Sequence, residues 1–419
     1  MIRRIKEFVN LKQNLARSLE IVLLPVIFIV LTCLCFCGRN EINPKKARVV
    51  FGKAGIMNNV YWCRSLRAAG HWAELFSEDF PSVINKRLDY GRLLEEEFHW
   101  CPRHFKFYLA FLDSVFKYDI FVMAFDGYFL SRTLLKDFEA YFLRLARKKT
   151  IVIPYGSDAY IYRYVESAEL QHALMMSLNQ ESRRQRKILK QVDYWVERAD
   201  VVIPGMMGID GIGRWDVLAP SSLVVDVDDW KVSQSDNGFD GLDGEVRITH
   251  SPNFRGFKGT EFLLSAIDSL RREGLRVKIN LLEGIPNDEV RQVLQFDTDI
   301  LVEQLIFTGH GLNGVEGMAS GLPVVSNLED ARYTKVFKRW SYLDECPIVS
   351  SDPEKIADTL RELITQPEIR KSLGKLSRGY AEKYHSYKAG QFLFESVLEY
   401  LVGERESLID LYHPLKDTK

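Results

Sequence analysis

Residues 246–326 read VRITHSPNFRGFKGTEFLLSAIDSLRREGLRVKINLLEGIPNDEVRQVLQFDTDILVEQLIFTGHGLNGVEGMASGLPVVS. Two runs in this stretch, 246–249 and 276–282, have the pattern of β-strands, and a segment with apolar residues at helical spacing separates them. A third short run follows at 299–302. The succession of strand, helix and strand predicts a parallel sheet covered by helices rather than an antiparallel sandwich.

The turn after the first of these strands carries two cations, Arg255 and Lys258, just before a predicted helix start at Gly259 and Thr260. Ligands of open α/β sheets collect at the carboxyl ends of the strands, and a helix amino end attracts phosphate. We therefore expect both side chains to neutralise a diphosphate. The alternative is that they are solvated loop charges.

Residues 308–325, TGHGLNGVEGMASGLPVV, hold the largest concentration of candidate ligand-binding residues in the chain. Gly309, Gly311 and Gly314 allow the backbone to approach a ligand closely, and Glu316 falls in the first turns of the helix that follows. A carboxylate at this place can accept hydrogen bonds from two ribose hydroxyls. The alternative is a helix charge that only complements the dipole. Taken together, the two motifs predict a nucleotide-sugar site.

The pattern from Asn253 through Lys258-Gly259-Thr260 to the run EGMASGLPVV resembles the carboxyl-terminal domain of the retaining glycosyltransferases of family 4. The resemblance is specific over residues 246–326 and extends loosely to the carboxyl end. It implies an α/β protein with the GT-B fold, in which two Rossmann-like domains face a cleft.

The resemblance also implies roles for individual residues. Lys258, and less closely Arg255, would bind the donor diphosphate, and Glu316 would bind the donor ribose. We assign His310, Gly311 and Leu312 to the donor site as well. These residues form the part of the expected donor site that the second domain contributes.

The sequence departs from this family at Thr308, where many members have a glutamate that contacts the transferred sugar. Three explanations stay open: His310 and the glycine backbone replace that contact, the sugar binds in a different geometry, or turnover has been lost. His310 is equally well explained as a loop histidine without a function.

Composition limits the function classes. A chain of 419 residues has room for two domains, and 56 Lys plus Arg against 57 Asp plus Glu gives no sign of a dedicated nucleic-acid binder. Of the six cysteines, three lie together at positions 33, 35 and 37 and the others are scattered; the lack of a CxxC pair fits a reducing compartment and no structural zinc. We expect no metal and no cofactor, the nucleoside diphosphate sugar being a substrate.

The amino-terminal segment predicts membrane association. Residues 1–20 combine basic residues with one apolar helical face, and residues 21–37 are an uncharged apolar run near the lower length limit for crossing a bilayer. A cleaved signal peptide is the alternative. Lys and Arg are equally frequent on both sides of the run, so orientation rests on the cytosolic location of nucleotide sugars in bacteria. We expect a cell-membrane protein with its catalytic domains on the cytosolic side, attached by one crossing or by a shallow hairpin bent at Pro25.

The first domain supplies two candidates. A predicted strand at 47–51 enters a glycine turn before a helix, and Gly55 is expected either to approach the diphosphate across the cleft or to serve only a tight turn. A predicted strand at 150–153 ends in a turn that carries Asp158, our acceptor-side candidate, with a turn or cap aspartate as the alternative. We further predict helices over 129–147 and 168–198.

These patterns divide the chain into an anchor segment and linker (1–45), an acceptor domain (46–230), a linker (231–245), a donor domain (246–385) and a last helix that crosses back (386–419).

The sequence as a whole indicates a retaining glycosyltransferase that moves a sugar from a nucleoside diphosphate to a hydroxyl acceptor, in surface polysaccharide or glycolipid synthesis. The expected partners are the nucleotide sugar, a saccharide or lipid-linked saccharide, and a membrane, but not nucleic acid. The alternatives are a nucleotide-sugar epimerase or hydrolase of the same fold, and a catalytically silent assembly protein.

Overall fold

The computed structural model describes residues 2–43, 46–80, 86–206, 208–235 and 238–414, with only the backbone of residues 2–16 and 103. Two parallel sheets are linked by helices, which confirms the predicted α/β class. The strands are β1 (Arg48–Lys53), β2 (Trp72–Ser77), β3 (Arg92–Leu93), β4 (Ile120–Met123), β5 (Lys149–Val152), β6 (Val201–Val202), β7 (Val246–His250), β8 (Val277–Leu281), β9 (Ile300–Thr308), β10 (Val324–Asn327) and β11 (Val349–Ser350). The helices are α1 (Ile2–Cys37), α2 (Met57–Ala68), α3 (Leu94–Glu97), α4 (Arg103–Lys117), α5 (Glu139–Leu145), α6 (Ala168–Ser177), α7 (Asn179–Ser182), α8 (Gln185–Arg198), α9 (Arg255–Lys258), α10 (Thr260–Arg272), α11 (Asn287–Phe296), α12 (Leu312–Ala319), α13 (Ala331–Trp340), α14 (Ile356–Thr365), α15 (Pro367–Tyr384) and α16 (Tyr387–Leu401).

Strand order places the candidate residues. The first sheet runs β3-β2-β1-β4-β5-β6 and the second β11-β10-β9-β7-β8, and all the pairs are parallel. In the second sheet β7 and β9 are neighbours, so the turns that follow them lie side by side at the carboxyl edge. Strand β9 is longer than the predicted run, with nine residues. The two glycine-containing turns are therefore adjacent.

The predicted helix over 129–147 is wrong. Two 3-10 turns, Phe129–Arg132 and Lys136–Phe138, replace most of it, and only α5 is α-helical. The buried carboxylate of Glu139 accepts hydrogen bonds from the backbone amides of Tyr128 at 2.9 Å and Leu130 at 2.7 Å. These side-chain contacts satisfy the two amides without a continuous helix.

The predicted helix over 168–198 is also wrong as a single element, because it is divided into α6, α7 and α8. The first break is at Leu178, whose φ of −126° and ψ of 56° are not helical. The side chain of Gln185, the first residue of α8, accepts a hydrogen bond from the amide of Tyr162 at 2.7 Å. Tertiary contacts of this kind override the local helical pattern.

The last helix, α16, packs on α2 beside the first sheet. The Phe394 ring lies 4.2 Å from the Trp62 ring and 5.6 Å from the Phe51 ring, centroid to centroid. The Ser65 hydroxyl donates to the carbonyl of Tyr387 at 2.9 Å. The carboxyl-terminal part of the chain is thereby fixed to the first domain.

Helix α1 is a single helix that continues through Pro25, so the hairpin alternative is wrong. Its segment Arg17–Cys37 is long and apolar enough to cross a membrane, by length and composition alone. The side chains of the predicted amphipathic face up to residue 16 lie outside the described residues.

We predict that Phe394→Ala lowers the free energy of unfolding by about 3–5 kcal/mol, because it leaves a cavity between α16 and α2. Phe392→Ala is the matched control, since Phe392 is on the same helix and 49% exposed, whereas Phe394 is 1% exposed. Denaturant titration of the full chain measures both. Equal losses for the two variants would contradict the packing described.

Candidate active site

Lys258 is held at the carboxyl edge of the second sheet by the end of α9. Gly259, which follows, has a φ of +75° and separates α9 from α10. A side chain at this position would be strained, and its Cβ would lie 2.9 Å from the Cβ of Leu305. The glycine thus lets the two helices meet at an angle and places Lys258 above β9.

A buried histidine fixes the same turn. Nδ1 of His250, at the end of β7, lies 2.7 Å from the carbonyl of Val302, and Nε2 lies 2.8 Å from the hydroxyl of Thr260. A carbonyl only accepts, so Nδ1 carries the proton and Nε2 accepts from Thr260. Burial lowers the pKa of His250 to about 4, and the ring is therefore neutral at physiological pH.

The Lys258 ammonium is paired with a buried carboxylate. Its Nζ donates to Oε1 of Gln304 at 2.8 Å and lies 3.2 Å from Oε1 of Glu303. The same Glu303 oxygen accepts a hydrogen bond from the amide of Gly311 at 2.7 Å, immediately before α12. One carboxylate oxygen therefore occupies the position, between a lysine and a helix amino end, where the sequence predicts a phosphate.

The glycines of the second motif make room for this carboxylate. A Cβ on Gly311 would lie 2.7 Å from Oε1 of Glu303, and one on Gly314 would lie 2.2 Å from Oε2. Oε2 is buried and accepts no hydrogen bond from any described residue. An unpaired carboxylate oxygen in a buried site is unfavourable, which marks this point as one where a ligand or water would be stabilised.

Glu316 lies on α12 in a second polar cluster. Its two oxygens accept hydrogen bonds from Nδ2 of Asn287 at 3.0 Å and Nδ2 of Asn313 at 3.4 Å. Burial raises the pKa of Glu316 to about 7, although these hydrogen bonds act in the opposite direction. Glu316 is therefore poised between its neutral and ionised forms near neutral pH.

This cluster bridges the two domains. The Tyr61 hydroxyl of α2 lies 3.5 Å from Oδ1 of Asn287 and accepts a hydrogen bond from the Trp230 indole at 3.1 Å. Burial and the neighbouring Glu316 raise the pKa of Tyr61 well above its usual value. First-domain side chains thus lie directly beside the predicted ribose carboxylate.

The other donor-side candidates are arranged differently. Arg255 is on the surface, and its guanidinium pairs with Glu261 at 2.7 Å and Glu283 at 3.0 Å. Leu312 begins α12 next to Gly311 and is half-buried. The structure therefore brings Lys258, Gly311, Leu312 and Glu316 together and leaves Arg255 engaged at the rim.

His310 is buried beside α12. Its ring lies 5.2 Å from the His385 ring in an edge-to-face arrangement, and burial lowers the pKa of both histidines. Nδ1 of His310 has no hydrogen-bond partner among the described residues. Its predicted contact with a sugar stays a prediction.

The two first-domain candidates make structural contacts. A Cβ on Gly55 would lie 2.3 Å from the carbonyl of Asp79, so the close approach of the loop after β2 requires glycine there. Asp158 accepts hydrogen bonds from the backbone amides of Phe125, Tyr155 and Gly156 at 2.9–3.0 Å. Burial raises the pKa of Asp158 to about 7. These contacts agree with the alternatives of a tight turn and a turn aspartate, and the donor role of Gly55 and the acceptor role of Asp158 stay predictions.

Sequence reasoning missed Glu303, Asn287 and Tyr61. The signal for Glu303 was present, because a carboxylate inside the apolar run ILVEQLIF of β9 must be paired if the strand is buried. Asn287 and Tyr61 carry no such signal, since their contacts with the ribose candidate depend on how α11 and α2 meet α12.

A cavity of about 350 Å³ lies at the opposite edge of the second sheet. It is lined by residues that precede β9 and β10, such as Asp299 and Pro323, together with basic residues of α15. It therefore does not belong to the cluster of Lys258 and Glu316.

We predict that Glu316→Gln raises the free energy of unfolding at pH 8 by up to roughly 3 kcal/mol and has little effect at pH 5. The pKa in the folded chain, about 7, exceeds the ordinary value of 4.5. Ionisation therefore favours the unfolded state, and stability is lost as pH rises between these values. Glu289→Gln on exposed α11 surface is the control. Denaturant titrations at both pH values measure the effect, and a pH-independent difference would contradict the burial of Glu316.

No family model matches the chain, and no curated protein matches it by sequence. Solved structures share its fold. Sucrose-phosphate synthase from Thermosynechococcus elongatus is 15% identical over 86% of this chain and 100% of its own, with a TM-score of 0.53. An α-glucosyltransferase in complex with UDP and a mismatched 13-mer DNA is 10% identical over 85% of this chain and 100% of its own, with a TM-score of 0.53.

The HepE protein of Anabaena, in complex with UDP-glucose, is 11% identical over 84% of this chain and 100% of its own, with a TM-score of 0.51. At these identities the likeness concerns the fold alone. Two parallel α/β domains arranged as in these proteins give the chain the GT-B fold.

Proposed function

We propose that the chain is a retaining glycosyltransferase, similar to family 4, that transfers a sugar from a nucleoside diphosphate to a hydroxyl acceptor. The observation that supports this most strongly is the arrangement of Lys258, the amino end of α12 and Glu316 along one edge of the second sheet, beside the first domain. It provides a cation, a backbone amide and a carboxylate at the places where a diphosphate and a ribose require them.

In this proposal the donor diphosphate takes the position of the Glu303 carboxylate on Lys258 and the Gly311 amide. The Glu316 carboxylate accepts hydrogen bonds from the two ribose hydroxyls. These contacts stabilise the negative charge that develops on the leaving nucleoside diphosphate, which is the main catalytic requirement of the reaction.

The transfer itself occurs on one face of the sugar. The bond from the anomeric carbon to the acceptor oxygen forms as the bond to the β-phosphate oxygen breaks, and the acceptor proton passes to a phosphate oxygen of the leaving group. Asp158 stays our acceptor-side candidate, Gly55 a candidate neighbour of the diphosphate, and Arg255 a second cation after release from its carboxylates. The proposal requires no metal.

Membrane association is part of the proposal. The apolar segment of α1 supports it, and the burial of Leu31 and Cys35 within the first domain supports a retained rather than a cleaved segment. We propose a cell-membrane protein whose catalytic domains face the cytosol. A lipid-linked saccharide of a surface polysaccharide or glycolipid is then the natural acceptor.

We predict selective binding of one of UDP, GDP or dTDP to the full chain in detergent, measured by calorimetry. Glu316→Ala weakens it by about 1–3 kcal/mol, because a charged hydrogen bond to the ribose is lost. Glu289→Ala is the control on the neighbouring α11 surface.

Failure of all three nucleotides to bind would contradict the proposal and favour a silent assembly protein. Hydrolysis or epimerisation of the cognate nucleotide sugar without acceptor would favour the enzyme alternatives.

We also predict that Glu303→Gln increases the affinity for that nucleotide, roughly tenfold, because the carboxylate no longer competes with phosphate for Lys258. Glu289→Gln, which removes an exposed carboxylate from α11, is the control. The same titration measures both variants. A weaker affinity in Glu303→Gln would mean that this carboxylate belongs to the donor site itself.

A further inference from the structure

Helix α1 is attached to the first domain along its whole apolar run. At the start of the run, the buried carboxylate of Glu20 accepts hydrogen bonds from the Tyr108 hydroxyl at 2.7 Å and the Leu134 amide at 3.2 Å. At the end of the run, Gly38 packs so closely on α4 that a Cβ would lie 2.9 Å from Cγ1 of Val115. Residues 20–38 span about 27 Å of helix.

The middle of the run belongs to the core of the first domain. Leu31 and Cys35 are 1% and 0% exposed. The Phe28 ring lies 5.3 Å from the ring of Phe142, which is itself fully buried. A helix that left the domain to cross a bilayer would expose this cluster and would remove Glu20 from its partners, both of which are strongly unfavourable.

The opposite side of the helix is apolar and faces outward. Among the described side chains of the helix, the exposed large hydrophobic ones are Leu19, Ile21, Val22, Val26, Ile29, Val30 and Phe36. Two exposed aromatic residues of the domain, Phe138 and Tyr141, lie beside the helix, and their ring centroids are 5.3 and 6.3 Å from that of Phe28. We call these nine residues the outer ridge. A continuous apolar surface of this length marks a site of interaction.

Cations surround the outer ridge. Exposed Arg17 and Arg39 lie at the two ends of the apolar segment of α1, and the Arg39 guanidinium is 3.9 Å from the centre of the Phe36 ring. Exposed Lys136 is two residues from Phe138, and partial burial together with the charges of nearby cations, Lys136 among them, lowers the pKa of Lys187. An apolar strip bordered by positive charge is complementary to a bilayer surface that contains anionic headgroups.

We propose that α1 does not cross the membrane but lies along one leaflet as a fixed part of the first domain, with the outer ridge among the acyl chains and the surrounding cations at anionic headgroups. This inference does not depend on the proposed enzymatic activity. It gives the protein a defined orientation, because a helix fixed to the domain along its length also fixes the domain relative to the lipid surface.

Membrane topology distinguishes a helix α1 that lies along one leaflet from one that crosses the bilayer. An epitope tag is added before Met1 of the full chain, and sealed membrane vesicles are selected in which the body of the protein faces outward. We expect an added protease to remove the tag as well as the body, because both ends of α1 are on the same side. A tag that is protected until detergent is added would overturn the proposal.

Vesicle flotation tests the surface itself. In vesicles of phosphatidylcholine and phosphatidylglycerol, the double variant Val22→Asp, Val26→Asp should bind roughly tenfold less than the unchanged chain. Phe262→Asp with Leu376→Asp, exposed apolar residues of the second domain, is the matched control and should bind normally. Retained binding in the first variant, or a detergent-free dimer that covers the outer ridge without binding vesicles, would contradict a lipid partner.

The role of the cations is tested by comparing two pairs of charge-reversal variants in vesicle binding. Lys136→Glu with Lys187→Glu should reduce binding to vesicles that contain phosphatidylglycerol and leave the weaker binding to pure phosphatidylcholine unchanged. Lys371→Glu with Lys375→Glu on exposed α15 makes the same charge change far from α1 in the sequence and serves as control. Equal losses in both pairs would mean that net charge, and not this surface, attracts the lipid.

Discussion

A buried lysine and a buried carboxylate each lose several kcal/mol of hydration, and they persist only where they neutralise one another. Lys258 and Glu303 do so at the point where α9, β9 and α12 meet, and the Gly311 amide shares the same carboxylate oxygen. The backbone around this ion pair contains glycines at the positions where a side chain would collide with it. Gly311 and Gly314 leave space for the carboxylate, and Gly259 allows the turn that brings the lysine to it. The site is thus organised around an internal anion.

The same constraint links the site to the domain arrangement. Helix α12 carries Glu316 toward α2, where Asn287, Tyr61 and Trp230 form a polar bridge between the domains. The packing of α16 on α2 fixes the same pair of domains from a second direction. A ligand that binds Glu316 must therefore enter between surfaces already in contact. Under the proposed function, donor binding would be coupled to movement of the first domain relative to the second.

Local sequence patterns predicted the parts of this architecture that depend on local chemistry. The strand β7, the turn at Lys258 and the place of Glu316 on α12 follow from apolar periodicity, glycines and helix starts. The length of β9 does not, since the predicted run 299–302 is shorter than the strand. The pairing of Lys258 with Glu303 was not predictable in this way, because 45 residues separate them and only the β7–β9 pairing brings them together. The helix predicted over 129–147 failed for a similar reason, since Glu139 reaches back to the amides of Tyr128 and Leu130. An apolar run likewise indicates affinity for a nonpolar phase, but the docking of α1 on α4 and α5 depends on tertiary contacts such as Glu20 with Tyr108.

The most direct test of this account is a crystal structure of the full chain with the nucleoside diphosphate that it binds. The account predicts the phosphates within hydrogen-bond distance of Lys258 Nζ and the Gly311 amide, the Glu303 carboxylate displaced from both, and the ribose hydroxyls on Glu316. A nucleotide bound elsewhere, with Lys258 still paired to Glu303, would contradict it.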